Sequence, residues 1–232
     1  MYTNANSLFN KLGELQTLIS EKKYDIIAIT EIFPKNQNLD YNDNLWNIPG
    51  YTFHYPTQKV FTARGCVIYT EVTLKAYHIE SRVMDCIEHL QIGIKTTDGP
   101  NLLVSCIYRS PSANNDACIG ELSEILNRKK IHNTKFDCIL HMGDFNFREI
   151  NWHSQNTSVG SDHMATKFLD IVTDSFLIQN VKHPTRFRGE NNPSILDLIF
   201  TNEEGMIDNI EHCAPLGNSD HEVLEFNFLY KM

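Results

Sequence analysis

The sequence predicts an α/β fold of two packed β-sheets flanked by helices. Three observations lead there. The chain opens on a helix and then a short apolar strand; the later strand candidates are many and mostly follow one another without helices between them; and apolar residues make up 41% of 232 residues, the share of an ordinary globular core. Meandering strands with few helices fit a two-sheet sandwich better than a doubly wound sheet. A chain of this length buries roughly 70% of its unfolded surface and needs no disulfide or metal to fold, so residues 1–232 are read as one domain.

Leu8, Leu12, Leu15, Leu18 and Ile19 recur at helical spacing, with Ser7 in front as the expected N-cap. The run Asp25-Ile26-Ile27-Ala28-Ile29-Thr30, bounded by polar residues, reads as a buried strand. Residues 34–50, rich in Asn, Asp and Pro, read as loop. Strands are expected at 51–55, 65–70, 74–80, 86–94 and 102–108. The fourth shows the period-2 alternation of Cys86, Glu88, Leu90, Ile92 and Ile94, and an Asp98-Gly99 turn joins it to the fifth. A second helix covers 115–130, and a buried strand at 137–142 runs into Gly143. A third helix at 165–175 precedes a strand at 177–181, and strands at 195–200, 206–213 and 223–228 close the chain.

Composition excludes several classes of function. No apolar run approaches the ~18 residues of a membrane span, and the opening Met1-Tyr2-Thr3-Asn4 lacks the basic and apolar regions of a secretory leader, so an intracellular protein without membrane contact is expected. The six cysteines form no CxxC and mostly sit in apolar runs, as buried thiols do. A net charge of −9 argues against a large basic surface. It leaves a nuclease open, because metal-dependent phosphodiester chemistry uses clustered carboxylates. Two basic stretches run against the trend. Arg128, Lys129, Lys130 and Lys135 read first as a helix end complementing its dipole; for Lys182, Arg186 and Arg188 a solvated loop and a substrate contact stand level.

Polar residues gather at the ends of the apolar strands: Glu31 after Thr30, Tyr108-Arg109 after Ile107, Asp144 and Asn146 around Phe145, and Ser219-Asp220-His221 before the last strand. Sheet ends face a common rim where such groups converge, although any one aspartate there also reads as a turn former or cap. Asp197 lies inside the apolar run 194–200, where a carboxylate needs a partner. His221 is a natural one, since an Asp–His pair fixes the imidazole tautomer and favours the cation.

Gly143-Asp144-Phe145-Asn146, Ser219-Asp220-His221, Ile29-Thr30-Glu31 and the opening Thr3-Asn4-Ala5-Asn6-Ser7-Leu8 together resemble the endonuclease/exonuclease/phosphatase superfamily. Residues 4–12, Ile107-Tyr108-Arg109-Ser110-Pro111, His183-Pro184-Thr185-Arg186 and Leu196-Asp197-Leu198-Ile199-Phe200-Thr201-Asn202 narrow the resemblance to the endonuclease domain of non-LTR (LINE-like) retrotransposons, over essentially the whole chain. The resemblance implies a four-layer, DNase I-like α/β sandwich with two mixed or antiparallel sheets, here with a first strand shortened before Asn4. It implies Mg²⁺, or Mn²⁺, held by Glu31, Asn4 and Asp220, hard oxygen ligands suited to those ions. Asp144 would orient and deprotonate the attacking water, Asn146 and Tyr108 would contact the phosphate, and His221 paired with Asp197 would offset transition-state charge. Thr185, Arg186, Arg109 and Ser219 fall on substrate-facing segments. Arg64-Gly65 reads as a tight turn into a strand, and His141 and His153 as structural or exposed.

The implied activity is Mg²⁺-dependent nicking of one DNA strand to leave a 3′-hydroxyl, with a reverse transcriptase domain in a longer parent polyprotein as partner and the nucleus as the place of action. Two alternatives stand beside it. One is a phosphatase or phosphodiesterase of the same superfamily acting on a lipid, inositol phosphate, nucleotide or RNA; the other is an inactive, transposon-derived binding module.

Overall fold

The computed structural model describes residues 1–34, 44–58, 63–95, 99–113, 116–128, 130–131, 134–189 and 192–229. The main strands are β1 (Tyr2–Asn4), β2 (Ile26–Thr30), β3 (Tyr51–His54), β4 (Cys66–Glu71), β5 (Tyr77–Val83), β6 (Ile87–Ile94), β7 (Leu102–Arg109), β8 (Cys138–Asp144), β9 (Ile178–Gln179), β10 (Asp197–Thr201), β11 (Ile207–Cys213) and β12 (Val223–Phe228). They form two six-stranded sheets, in the orders β11-β12-β1-β2-β4-β3 and β9-β10-β8-β7-β6-β5. Each sheet is mixed. The pairs β1–β2 and β7–β8 are parallel and the other neighbours antiparallel. Helix α1 (Leu12–Glu21) covers one sheet, and α2 (Asp116–Leu126) and α3 (Met164–Asp174) cover the other.

Side-chain alternation builds the layers. In β8, Cys138, Leu140 and Met142 enter the core between the sheets, joined there by Val104 and Cys106 of β7, Ile199 of β10, Ala28 of β2 and Tyr2 of β1. The opposite faces meet the helices: Ile27 and Ile29 pack with Leu12, Leu15 and Ile19 of α1, while Leu198 and Phe200 pack with Leu122 of α2 and Phe168 of α3. Strands covered on both faces are apolar nearly throughout. Each such fully buried Leu, Ile or Phe contributes about 1.5–3 kcal/mol through removal from water. The same parity continues past the apolar residues at one end of the sandwich. Asn4, Thr30, Tyr108, Asp144 and Asp197 occupy positions in step with the inter-sheet core, so their side chains enter the gap between the two sheets.

Several elements differ from the sequence reading. Ser7 is not an N-cap: it lies in the left-handed region at φ +77°, beside Asn6 at +40°, and its N–H donates to the Glu31 carbonyl at 2.7 Å. These two residues reverse the chain out of β1, and α1 starts at Leu12 after a 3₁₀ turn at Phe9–Lys11. β5 begins at Tyr77, because Val72–Leu74 form a 3₁₀ turn and Lys75 is left-handed. α2 ends at Leu126, and Lys130–Ile131 instead pair with Thr134–Lys135 in a small ribbon. Asp197 opens β10 rather than sitting in its middle. Trp46 of the expected loop closes a 3₁₀ turn and is buried; residues 35–43, Asp98 and Lys129 lie outside the described residues. β1 is three residues long yet pairs on both edges, with β12 and β2. Five cysteines are buried free thiols and Cys213 is half-buried. No described helix is long and apolar enough to cross a membrane.

Candidate active site

The strand ends surround a cleft of about 840 Å³ lined by Asn4, Glu31, Arg64, Tyr108, Asp144, Asn146, Arg186, Asp220 and His221, among others. β10 runs antiparallel to β8 with Asp144 opposite Asp197, and β8 runs parallel to β7 with Asp144 beside Tyr108. Register alone thus sets three of the expected residues side by side. β1 and β12 contribute from the other sheet.

Asp144, 1% exposed, is held from both sides. Its Oδ2 accepts from Asn4 Nδ2 at 2.9 Å and its Oδ1 from the Asn146 N–H at 3.2 Å. Burial, the Asp197 charge and Glu31 together raise its carboxyl to about 8, against the opposite pull of His221 and the Asn4 amide. Asp144 has no ion pair among the described residues. The Asp197 carboxylate, fully buried, takes three side-chain donors: Tyr2 Oη at 3.0 Å, Thr185 Oγ1 at 2.6 Å and His221 Nδ1 at 2.7 Å. Burial lowers the His221 imidazole, but Asp197 outweighs it, with Asp144 and Asp220 adding to the rise, and the group stands at about 9. The ring is therefore a cation at neutral pH.

Two positive-φ residues aim groups into this gap. Glu31 at φ +55° breaks the β2 alternation directly after Thr30, and Asn146 at φ +53° turns the chain after Asp144. Such conformations cost on the order of 1–3 kcal/mol and persist only where neighbours hold them. At Asn146, Arg109 does the holding. It donates to the carbonyls of Phe145 and Asn146 at 3.3 Å each and to that of Ala113, its guanidinium lies 3.9 Å above the Phe147 ring, and its own carbonyl accepts from Asn146 Nδ2 at 2.8 Å. Arg109 is thus a buried brace of the 145–147 turn rather than a substrate-facing residue. Ser219 has a similar part, its Oγ donating to the Asn4 carbonyl at 2.7 Å and accepting the His221 N–H at 3.2 Å. Thr185 is turned inward on Asp197, whereas Arg186 pairs with Asp220, Nε to Oδ2 at 2.9 Å. Burial raises the Asp220 carboxyl, yet Arg186 and His221 bring it below the usual carboxylate range.

The expected ligand set of Glu31, Asn4 and Asp220 faces one cleft, and beside it a different group, Asp144, Asp197 and His221, has ligand atoms within 4.8 Å of one another. Asp197 already accepts from three side chains, so this cluster is first a hydrogen-bonded network. The residues nonetheless fit a hard divalent cation. Asp144 is a buried carboxylate whose proton affinity is raised by burial and by the Asp197 and Glu31 carboxylates despite the His221 cation, and Glu31, Asn4 and Asp220 offer oxygen donors.

Three contributors, Tyr2, Glu88 and Arg148, escaped the sequence reading. Tyr2 bridges the sheets, bonding Asp197 and Thr30 Oγ1, the latter at 3.0 Å. Glu88 receives the N–H groups of Arg64 and Gly65, and Arg148 stands exposed on the cleft wall beside Arg188 of the expected basic stretch. A tyrosine two residues before Asn4 on the same strand face was the one available signal, by period-2 parity. Gly65, at φ +88°, makes the expected turn into β4. His141 is buried against Ser105 Oγ at 2.8 Å, and His153 is exposed.

The sequence profile of the family described as endonuclease-reverse transcriptase matches residues 102–225, just over half of the chain. The structure resembles the endonuclease domain of TRAS1, a telomere-specific non-LTR retrotransposon, with a TM-score of 0.71 at 16% identity, covering 98% of this chain and 96% of that one. It also resembles the AP endonuclease LMAP of Leishmania major, with a TM-score of 0.71 at 13% identity over 99% of this chain and 87% of the other. The 3′ phosphatase NExo from Neisseria, bound to a product DNA hairpin, gives 0.64 at 15% identity over 99% of both chains. At these identities the likeness is one of fold: the expected four-layer α/β sandwich is present. No curated protein sequence matches the chain.

Proposed function

The chain belongs to the endonuclease-reverse transcriptase family, and on that premise we propose that it is a metal-dependent phosphodiester hydrolase that nicks one strand of DNA and leaves a 3′-hydroxyl. The observation that carries the reading is Asp144: a buried carboxylate, fixed by Asn4 and Asn146, next to a cationic imidazole on the floor of an open cleft. A carboxylate with raised proton affinity is an effective general base near neutral pH. Asp144 orients and deprotonates the attacking water. His221, kept cationic by Asp197, contacts a non-bridging phosphate oxygen and offsets charge as it develops. Tyr108 and the second N–H of the Asn146 amide, both on the cleft lining, would contact the same phosphate. Glu31, Asn4 and Asp220 would hold Mg²⁺ or Mn²⁺, which when bound would supply Lewis-acid charge to the phosphoryl group.

DNA as substrate is supported by the family and by the placement of Arg148, Arg186 and Arg188 along one cleft of a chain whose net charge is −9. Action in the nucleus, alongside a reverse transcriptase segment of a longer polyprotein, follows from that reading. The test is conversion of supercoiled plasmid to open circle with Mg²⁺ or with EDTA, comparing wild type with Asp144→Ala and His221→Ala. Metal-dependent nicking that disappears in both variants supports the assignment. A folded wild type that never nicks at low salt overturns it, and phosphate release from inositol phosphates and lipids then separates a changed substrate from an inert fold.

A further inference from the structure

Arg64 stands on the residue that the proposed reading gives to the metal. Its Nη2 is paired with the Glu31 carboxylate and lies 3.4 Å from Asn6 Oδ1. The rest of the guanidinium fares poorly: Nε and Nη1 are buried from water and donate to nothing among the described residues. A buried donor left unmade forfeits its full hydration, so Glu31 is what keeps this side chain inside. The backbone beneath it is fixed independently. The buried Glu88 carboxylate takes the Arg64 N–H at 2.6 Å and the Gly65 N–H at 2.8 Å, while Gly65 supplies the left-handed turn into β4. The side chain can therefore leave without disturbing the strand.

From this arrangement we infer that Arg64 is an internal counter-cation that occupies Glu31 until a divalent cation displaces it, so that metal loading and the Arg64–Glu31 pair exclude each other. The inference rests on the proposed reading of Glu31 as a metal ligand. Two positive groups cannot share one carboxylate at contact distance in a partly buried site without strong repulsion. Displacement also relieves Nε and Nη1, which regain water at the open cleft. Arg109 is the internal contrast, since its guanidinium is satisfied by three backbone carbonyls and has no reason to move.

Mn²⁺ binding, followed by loss of the free-ion paramagnetic signal, tests this without reference to activity. Arg64→Gln removes the competitor and is expected to bind Mn²⁺ about tenfold more tightly, the size of one charge-assisted hydrogen bond. Arg64→Lys keeps a competing cation and stays near wild type, while Glu31→Gln loses the site. In the unmodified protein the Arg64 Nε–H resonance moves on Mg²⁺ titration and that of Arg109 does not. Equal or weaker Mn²⁺ binding by a folded Arg64→Gln variant overturns the inference, as does an unmoved Arg64 resonance in a protein that binds the ion. Mn²⁺ binding by wild type that survives Glu31→Gln instead overturns the assignment of Glu31 as ligand, and the inference with it.

Discussion

Asp144 and His221 pull each other's protonation in opposite directions, and their pH behaviour follows. A carboxyl raised from 3.8 to about 8 binds its proton more tightly in the folded protein, so it costs stability progressively as pH rises from about 4 through 8. Asp144→Asn removes that cost while leaving an acceptor for the Asn4 amide. The metal-free variant should melt higher than wild type at pH 8–9 and no higher at pH 4, with nicking reduced about 10²–10⁴-fold; a lower melting point at pH 9 would contradict the buried charge. His221 has the opposite sign. Its imidazole, raised from 6.5 to about 9, contributes stability that is complete below pH 6.5 and lost as pH climbs through 9. His221→Ala should flatten the stability curve across that window and cost about 10²–10³ in rate, read by thermal melts and plasmid nicking over the same buffers.

Elements place these residues, and Gly143 marks how tightly. β7 and β8 approach so closely in register that a Cβ at 143 would overlap the Ile107 carbonyl. Gly143→Ala must push the two strands apart at the point where Asp144 leaves β8. A loss of about 1–3 kcal/mol is expected, measured by urea unfolding, together with weaker nicking in whatever fraction stays folded. The glycine of the Gly-Asp-Phe-Asn motif thus answers to strand packing, whereas the asparagine answers to a left-handed turn braced by Arg109. Motif residues were readable because they sit on single strands with strict parity. Ser7 as a cap and the early start of β5 fail for another cause: both lie where left-handed residues, Asn6, Ser7 and Lys75, reverse the chain, and serine and lysine, unlike glycine or asparagine, carry no sequence signature for that conformation.

At the scale of the whole molecule, an acidic protein carries its exposed cleft-wall arginines, Arg148 and Arg188, on separate segments that meet at the open end of the sandwich. The double variant Arg148→Ala/Arg188→Ala should bind a short DNA duplex more weakly at every sequence and reduce the salt dependence of binding by about 2 in log–log slope, one for each phosphate contact. An unchanged slope, measured by fluorescence anisotropy over a salt series, would remove these arginines from the interface. The described cations of the basic stretch near 127–135 do not line this cleft: Arg128 pairs with Glu80, and Lys135 lies 3.8 Å from Asp137.

The linear order of residues was enough to establish the sandwich class, the apolar strands and the polar residues that end them, because period-2 burial and turn chemistry are local properties. It also pointed to Asp197 as a carboxylate in need of a partner, with His221 as that partner. Only the tertiary structure decided which groups meet across the two sheets. The Tyr2 hydroxyl on Asp197, the Arg64 side chain on Glu31, Glu88 under the 64–65 turn and the inward rotation of Arg109 and Thr185 all depend on how one sheet is stacked and staggered on the other. That stagger is set by the packing of the whole inter-sheet core, to which every strand contributes and which no single segment encodes.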